Sequence, residues 1–459
     1  MKTLVIIGAG FSGAVTAVQF LQVCEPGTHV VLLNRSGEMA RGLAYGTSSS
    51  RHLLNVPAGN MSALVDQPDH FLHFCEGRLP GTTSSTFVPR KLYGDYLSWL
   101  LADAGHNCRE GVTFERITCE ANSLEYQDGK ARISLVDGRN LIADHVILAF
   151  GNFSPFNPSI TSVARDAGRY LADPWSGAIE EPIDPQAPIL LLGAGLTALD
   201  VALTLDQQGH RGVVYMLSRR GVRPLPHRAS RHVESIAGEV VQSLQSASPT
   251  ALGYLRRIRE LVRLAAEREI DWRDIVGALR PITAHLWGRL NEVERRRFLR
   301  HLQVYWDAHR HRVAPESFKA FSAQIEQGRL RPMAGRIQSI ERLAKGLRVH
   351  VEQRGKSTVE TVDVSHVINC TGPNSNLARV DDRLIAQLRQ AGLIKLDSLG
   401  LGIRVDESLC VLDAHGNTVP WLSYVGPMLK AQFWEATAVP ELRKYAKDLA
   451  LRVATSISR

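Results

Sequence analysis

The stretch Gly8-Ala9-Gly10-Phe11-Ser12-Gly13 follows the apolar run Leu4-Val5-Ile6-Ile7, and the same arrangement returns at Gly193-Ala194-Gly195-Leu196-Thr197-Ala198 after Ile189-Leu190-Leu191-Leu192. In each copy the first glycine permits a tight turn, and the second lets the backbone approach a pyrophosphate. The third small residue lets helix and strand pack closely, with the phosphates at the helix N-terminus. Two copies in one chain predict a protein that holds two nucleotides, usually a flavin and a nicotinamide.

The segments around these motifs alternate strand and helix patterns, which predicts an α/β fold with two Rossmann-like dinucleotide-binding domains. Residues from about 228 to 318 have helical periodicity instead, so we expect a helical subdomain inserted there. The predicted division assigns 1–165 and 366–459 to the flavin domain, 166–227 and 319–365 to the nicotinamide domain, and 228–318 to the insert.

The second strand of the first unit, predicted at His29–Leu33, ends at Asn34 and Arg35. An acidic side chain is usual at this position because it binds a ribose hydroxyl. The Asn34 amide can bind one hydroxyl, but it lacks the charge of a carboxylate. Arg35 is placed either to stack on the adenine or to meet a phosphate, so the ribose contact stays open.

A segment rich in Gly, Ser and Asn, residues 41–57, has little regular periodicity. Long irregular loops inside a compact domain are usually functional. We therefore expect Arg41, Tyr45 and Asn55 to contact the first cofactor.

In the second unit the predicted strand Val213–Leu217 ends at Ser218, Arg219 and Arg220. The acid that would select NADH is absent from this position, and two guanidinium groups stand where a 2′-phosphate would lie. The pattern favours NADPH over NADH. The alternative is that one or both arginines only face solvent.

Within the predicted insert, three stretches have helical patterns: Leu252–Glu269, Trp272–Leu279 and Glu292–Arg310. On the last helix Trp306, His309 and Arg310 share one face. We expect these three residues to line a substrate pocket and to meet a carboxylate. The alternative is that this face packs the insert against the body of the protein, with His309 as a packed side chain.

The remaining predicted contacts are glycines after strands and polar groups near the C-terminus. A final helix from about Ala431 points its N-terminus at the flavin, and it carries Gln432 and Trp434, which with Asn55 are the candidate catalytic residues. The predicted cofactor-binding set is Gly8, Gly10, Phe11, Ser12, Gly13, Asn34, Arg35, Arg41, Tyr45, Asn55, Gly151, Gly193, Gly195, Thr197, Ala198, Ser218, Arg219, Arg220, Gly372 and Gly426.

The composition of the 459 residues limits the class of protein. Hydrophobic residues make up 44% and charged residues 22%, which is ordinary for a soluble globular chain. Six scattered cysteines without CxxC spacing argue against a zinc site, a disulfide framework and a dithiol reductase. With no secretion signal or membrane span in the pattern, we expect a cytoplasmic protein. The net charge of +8 is attributed to phosphate contacts and a solvated face, and nucleic acid is not expected as a partner.

As a set, these segments resemble a bacterial FAD/NAD(P)-binding family related to the flavin-dependent N-hydroxylating and flavin-containing monooxygenases. The resemblance covers nearly the whole chain. It is carried by residues 8–13, 42–46, 54–57, 89–96, 305–310, 370–373 and 434–441. A His and Trp signature typical of Baeyer–Villiger enzymes is missing around residues 150–153, which argues against a Baeyer–Villiger monooxygenase.

The resemblance implies FAD and NADPH as cofactors. It also implies a monooxygenase that passes one oxygen from O₂, through a flavin C4a-hydroperoxide, to a small molecule, at nitrogen or another soft nucleophile. Such chemistry needs no metal and no Ser/His/Asp triad in the protein. One alternative is an NADPH-dependent flavin reductase that passes electrons to a small molecule or a partner protein. Another is a flavoprotein that binds RNA or an acidic protein through its Arg-rich insert. A homo-oligomer is also compatible with the sequence.

Overall fold

The computed structural model describes residues 1–176, 183–228 and 236–458. Its strands are β1 (Lys2–Ile7), β2 (Thr28–Asn34), β3 (Thr113–Thr118), β4 (Ala121–Gln127), β5 (Lys130–Leu135), β6 (Asn140–Ala143), β7 (His145–Leu148), β8 (Tyr170–Leu171), β9 (Ile189–Leu192), β10 (Val214–Ser218), β11 (Leu330–Leu343), β12 (Gly346–Gln353), β13 (Val359–Val364), β14 (His366–Asn369), β15 (Cys410–Leu412) and β16 (Thr418–Tyr424).

Its α-helices are α1 (Phe11–Val23), α2 (Gly42–Tyr45), α3 (His70–Glu76), α4 (Arg90–His106), α5 (Ser162–Asp166), α6 (Leu196–Gln207), α7 (Ala237–Gln245), α8 (Ala251–Ala266), α9 (Trp272–Ala278), α10 (Thr283–Arg289), α11 (Glu292–His301), α12 (Gln303–Arg310), α13 (Pro315–Glu326), α14 (Arg383–Gln390) and α15 (Val439–Ser458). Among the residues described, no helix combines the length and the apolar character needed to cross a bilayer.

The first sheet has the order β15-β16-β7-β1-β2-β3, and every pair except β15 with β16 is parallel. Strand β1 lies between β2 and β7 and is buried from Leu4 to Ile7. Its run of apolar side chains fits a strand that is covered on both faces. Helix α1, which begins directly after the first glycine turn, packs against α4 and α15.

The second sheet has the order β13-β12-β11-β10-β9-β14-β8. Strands β11, β10, β9, β14 and β8 are parallel neighbours, whereas β12 and β13 extend the sheet as an antiparallel hairpin. A separate antiparallel sheet contains β4, β5 and β6. The predicted α/β class with parallel sheets is therefore confirmed.

Helices α7 to α13 lie between β10 and β11 in the chain. The prediction of one helix over Glu292–Arg310 is wrong, because α11 ends at His301 and α12 begins at Gln303. The carbonyl oxygens of Arg300 and His301 accept hydrogen bonds from the Arg220 guanidinium. These carbonyls are therefore occupied by a side chain at the point where the helical ladder would have to continue.

The final helix also begins later than the sequence indicates. Residues Pro427–Ala431 form a short 3₁₀ helix, a turn follows, and α15 begins at Val439. Pro440 lies in the first turn of α15, where a missing N–H costs nothing. A helix running on from Ala431 would have placed the same proline in its interior, which is strongly unfavourable. Gln432 and Trp434 therefore lie in the turn before α15, not on it.

Candidate functional site

The first glycine of each nucleotide motif has a backbone that only glycine adopts readily. Gly8 has φ +106° and Gly193 has φ +130°. A Cβ atom at Gly8 would lie 2.6 Å from the carbonyl oxygen of Ala149, and one at Gly193 would lie 2.2 Å from that of Cys370. In both units the first glycine thus turns the chain against the end of the neighbouring parallel strand, β7 or β14.

The third small residue of each motif sets the distance between helix and strand. A Cβ at Gly13 would lie 1.8 Å from the carbonyl oxygen of Gly8, so no larger residue fits. The corresponding position in the second unit is Ala198, which is fully buried. Thr197 and Ser12 precede these positions within the first turns of α6 and α1.

The middle glycines are different, because neither their conformation nor their neighbours require glycine. Gly10 has φ −72° and Gly195 has φ −88°, in extended backbone that any residue adopts. A Cβ at Gly10 would make an ordinary contact with Gly42, and one at Gly195 would meet no atom within 4 Å. Both glycines lie at helix N-caps that lack a side-chain capping hydrogen bond. Uncapped helix N-termini of this kind are suited to binding an anionic group such as a phosphate.

Asn34, at the end of β2, holds the loop that follows it. Its side-chain oxygen accepts from the Ala9 amide at 3.2 Å, and its side-chain nitrogen donates to the Ser36 carbonyl at 2.8 Å. Arg35 lies 3.6 Å from the carboxylate of Asp382. The Asn34 amide is thus already engaged with the glycine turn, which leaves little capacity for a ribose.

A cavity of about 380 Å³ lies beside this loop, lined by Gly37, Glu38, Met39, Arg41, Ser98, Leu101, Arg116 and Thr118. Arg41 forms an ion pair with Asp95 at 2.7 Å. Tyr45 packs edge-on against Tyr93, with ring centroids 4.6 Å apart, and Phe11 lies next to both rings. The predicted residues Arg41, Tyr45 and Phe11 are therefore brought together around the first glycine turn.

The loop that leads to Asn55 is fixed to the second unit. Arg90 donates to the Leu53 carbonyl at 3.1 Å and forms an ion pair with Asp200 on α6 at 2.8 Å. His52 lies 2.9 Å from the Thr204 hydroxyl and 3.2 Å from the Asp200 carbonyl oxygen. Burial is the main cause that lowers the pKa of His52, so the ring is neutral at pH 7.

Asn55 itself contacts the segment before the insert. Its carbonyl oxygen lies 2.9 Å from Nε2 of His227. Burial, followed by the charge of Arg312, lowers the pKa of His227 to about 4. The Asn55 side-chain amide makes no hydrogen bond to any of the residues that the structure describes, which leaves it free for a ligand.

The two arginines after β10 have different surroundings. Arg220 donates to the carbonyls that end α11, and its guanidinium lies 5.6 Å from the centre of the Tyr305 ring. Arg219 is exposed and has no polar contact within the described parts of the chain. The Ser218 hydroxyl accepts from the Gly221 amide at 3.0 Å. Of the two guanidiniums, only that of Arg219 is free to meet a phosphate.

The three predicted substrate residues of α12 do not share one environment: Arg310 and Trp306 contact buried groups, and His309 contacts Trp272. Arg310 lies 3.0 Å from Glu435, and both side chains are largely buried. Burial raises the pKa of Glu435, whereas Arg310 opposes this rise. Trp306 packs with Phe298, and its ring nitrogen is buried without an acceptor in the described structure. His309 instead lies edge-on against Trp272 at 4.9 Å.

The candidate catalytic residues near the C-terminus are held by the fold. Gln432 accepts from the Val405 amide at 2.7 Å. Trp434 is buried against Trp287 and Phe298, with the Lys430 ammonium 4.2 Å from its ring centre. Among the remaining predicted glycines, a Cβ at Gly426 would press on the Tyr424 hydroxyl, whereas Gly151 and Gly372 face open space.

The residues that join the units have no predicted role from the sequence alone: His52, Arg90, Asp200, His227, Arg312 and Glu435. Arg90 and Glu435 lie inside segments that carry the family resemblance, and this was the only feature of the sequence that could have marked them as functional. The described residues contain no group of three His, Cys, Asp or Glu side chains that could hold a metal ion.

Comparisons with known proteins agree with this geometry. Residues 5–153 match a family model described as FAD-NAD(P)-binding. No curated protein matches the sequence. The first of these findings covers the first glycine turn and the loop that follows it.

Solved structures match over the whole chain at low identity. The ornithine N-hydroxylase of Kutzneria sp. 744, solved with reduced FAD, NADP⁺ and L-ornithine, is 12% identical with a TM-score of 0.63, and the match covers 99% of this chain and 98% of that one. L-lysine 6-monooxygenase from Pseudomonas syringae is 16% identical with a TM-score of 0.62, covering 100% and 99%. The bacillithiol disulfide reductase of Staphylococcus aureus is 11% identical with a TM-score of 0.57, covering 99% of each chain.

The predicted resemblance to N-hydroxylating monooxygenases is therefore confirmed at the level of the fold. The chain carries a segment that matches an FAD-NAD(P)-binding family, on the fold that flavin-dependent N-hydroxylating monooxygenases share.

Proposed function

We propose that this protein is an NADPH-dependent FAD monooxygenase that transfers one oxygen atom from O₂ to a small molecule, at a nitrogen atom. The observation that carries the proposal is the pair of open middle glycines. Gly10 and Gly195 adopt conformations open to any residue, and each stands at a helix N-terminus that lacks a side-chain cap, with no atom closer than 3.7 Å to an added Cβ. We call each glycine turn, together with the helix N-terminus that follows it, a cradle: residues 8–13 form the first and residues 193–198 the second. Two such cradles in one chain are suited to two dinucleotides.

FAD would occupy the first cradle. Gly8, Gly10, Ser12 and Gly13 would receive its pyrophosphate, and the cavity beside Arg41 would receive the adenosine end. When bound, FAD supplies the chemistry that activates O₂. The protein contributes position and the exclusion of water: Tyr45, Tyr93 and Phe11 form an aromatic wall beside the glycine turn.

NADPH would occupy the second cradle. Gly193, Gly195, Thr197 and Ala198 would receive its pyrophosphate, and Arg219 would meet the 2′-phosphate. Arg220 has a different role in our proposal, because its guanidinium already binds the end of α11.

The substrate would bind near Asn55, between the loop of residues 41–57 and the insert. The Asn55 side-chain amide is free of protein partners among the described residues, and the Asn55 backbone carbonyl lies 2.9 Å from Nε2 of His227. We also propose the domain division 1–165 with 366–459 for FAD, 166–227 with 319–365 for NADPH, and 228–318 as the helical insert. A cytoplasmic location and O₂ as co-substrate belong to the same proposal.

The decisive experiment is anaerobic reduction of the FAD-loaded protein by NADPH in a stopped-flow instrument, followed by mixing with O₂. A transient absorption band distinct from both oxidised and reduced flavin supports the monooxygenase. Direct return to oxidised flavin in the presence of candidate amines, with all O₂ released as H₂O₂, contradicts it. A protein that takes up no FAD would remove the flavoprotein proposal altogether.

A second candidate function is an NADPH-dependent flavin reductase, because the fold is also that of a disulfide reductase. The cysteines do not favour a dithiol version of this activity. All six are free, and Cys370, the one nearest the second glycine turn, is buried, which raises the pKa of its thiol strongly. A reductase would instead pass electrons to a small molecule or partner, and product formation without O₂ consumption would identify it.

A further inference from the structure

An arginine cluster lies within the insert, next to the segment that precedes it. We define the cluster as Arg228, Arg273, Arg310 and Arg312. The chain brings these residues together through a parallel bridge, in which the His227 amide donates to the Val313 carbonyl at 3.0 Å. Arg273 is also drawn in, because it donates to the Pro226 carbonyl at 3.1 Å.

Three members of the cluster have a carboxylate of their own. Arg228 binds both oxygens of Asp274. Arg273 lies 3.1 Å from Asp271. Arg310 lies 3.0 Å from Glu435. The charges of these three pairs cancel, so the balance of the cluster depends on its fourth member.

Arg312 has no carboxylate. Within residues 1–176, 183–228 and 236–458, its guanidinium makes no ion pair, and its Nε atom, like that of Arg310, is buried without an acceptor. Burial, together with the charges of Arg310, Arg273 and Arg228, lowers the pKa of Arg312 to about 10. The side chain still carries its charge at pH 7. A partly buried charge that is left unpaired is costly, so the surroundings of Arg312 favour the binding of an anion.

The surroundings of Arg312 also define the shape of that anion. The guanidinium lies 6.0 Å from the centre of the Trp272 ring, which forms an apolar side to the site. An arginine fork matches the two oxygens of a carboxylate in plane. One uncompensated positive charge balances a carboxylate, whereas a phosphate monoester carries about two negative charges. The cluster therefore fits a carboxylate better than a phosphate.

The site adjoins the region proposed for the substrate. His227, whose pKa is lowered by Arg312 after burial, lies 2.9 Å from the Asn55 carbonyl. We propose that Arg312 binds a carboxylate group of the substrate and so selects carboxylate-bearing molecules. That the carboxylate belongs to a substrate rests on the proposed function. That Arg312 binds an anion does not. It also moves the anion-binding role from Arg310, which already pairs with Glu435, to Arg312.

The test uses the FAD-loaded protein and two probes, glutarate and its neutral analogue glutaramide, at constant ionic strength. Glutarate at 50 mM should raise the melting temperature of the unchanged protein by about 2 °C or more, and glutaramide should not. Arg312→Gln should abolish the rise. Arg256→Gln, a change at an exposed arginine of α8, should keep it. No rise in the unchanged protein, or an equal rise in Arg312→Gln, would overturn the proposal.

Two further measurements separate the alternatives. If Arg312→Gln abolishes stabilisation by 2′,5′-ADP but not by glutarate, the anion is a cofactor phosphate and the substrate assignment is wrong. Arg312→Lys keeps the charge but loses the planar fork, so it should show a smaller rise with glutarate. If Arg312→Gln does not fold, the Lys variant alone decides, and a rise equal to that of the unchanged protein counts against a carboxylate fork.

These measurements need neither NADPH nor O₂. A protein that binds glutarate through Arg312 but never transfers oxygen would refute the proposed function and keep the anion site. A protein that transfers oxygen but does not bind glutarate through Arg312 would refute the anion site and keep the proposed function.

Discussion

Arg90 and Asp200 form a buried ion pair, with 2.8 Å between guanidinium and carboxylate, that joins helix α4 of the first unit to helix α6 of the second. Only 14% of the Arg90 side chain and 6% of the Asp200 side chain is exposed. Arg90 also holds the Leu53 carbonyl, next to the loop that carries Asn55. The pair therefore links the helix behind the second cradle to the loop beside the first.

Replacing Arg90 by Gln should lower the free energy of unfolding by about 3–5 kcal/mol, because Asp200 is then left as a buried, unpaired charge. Chemical denaturation followed by far-UV circular dichroism measures this change. Arg51→Gln is the matched control, since Arg51 forms an exposed ion pair with Asp206 on the same helix at 3.0 Å. Its loss should cost no more than about 1 kcal/mol. An equal decrease in the free energy of unfolding in the two variants would show that burial of the ion pair does not determine its contribution to stability.

Gly195→Ala should separate nucleotide binding from folding. The new Cβ meets no protein atom within 4 Å, so the melting temperature should stay within about 2 °C of the original. The same Cβ would stand where the pyrophosphate approaches, so the Kd for NADP⁺, measured by titration, should rise at least roughly tenfold. Gly193→Ala is the contrast, because it forces a strained backbone onto the Cys370 carbonyl and should prevent stable folding. Unchanged NADP⁺ binding in Gly195→Ala would argue against the second cradle.

Arg219→Gln should reduce the preference for NADPH over NADH. Loss of one charged hydrogen-bonding contact to the 2′-phosphate should lower kcat/KM for NADPH roughly tenfold or more, with little change for NADH. Rates of flavin reduction with the two nucleotides measure the ratio. Arg220→Gln should instead lower stability and leave the ratio nearly unchanged, because Arg220 binds the carbonyls at the end of α11. If Arg220→Gln lowers the ratio and Arg219→Gln does not, then Arg220 binds the 2′-phosphate.

His227 should make stability depend on pH. Its pKa is about 4 in the folded protein against 6.5 for the free side chain, so the unfolded chain binds the proton more tightly. The stabilisation is complete above pH 6.5 and is lost as the pH falls towards 4, by up to about 3 kcal/mol. In His227→Gln, which can still donate to the Asn55 carbonyl, the decline in unfolding free energy between pH 7 and pH 4.5 should be smaller. His73→Gln, at an exposed site on α3, should leave the decline unchanged.

The parts of this molecule that could be predicted are those that depend on neighbouring residues. Both glycine turns, the strands that precede them and the α/β class follow from short patterns, because a tight turn and a buried strand constrain residue type locally. The continuous helix over residues 292–310 was predicted from periodicity, and it is interrupted by Arg220, which is distant in sequence. The late start of α15 was in principle readable from Pro440, whose position limits where a helix can begin.

The contacts of the candidate site were mostly out of reach of the sequence. The partners Arg90 with Asp200, and Arg310 with Glu435, come from distant segments, and nothing in their local patterns specifies the pairing. The Arg-rich composition of the insert does not show which arginine lacks a partner. That distinction depends on three ion pairs around Arg312, which only the folded chain brings together.

The attachment of the Asn55 loop to α6 has a consequence for how the protein works over time. A cycle that swung the two units apart would have to break the Arg90–Asp200 pair and the hydrogen bonds of His52, and then form them again. Large swings of this kind displace solvent and are slowed by its friction. With the units held together, hydride transfer from saturating NADPH should proceed at the same rate in viscous glycerol solution as in water.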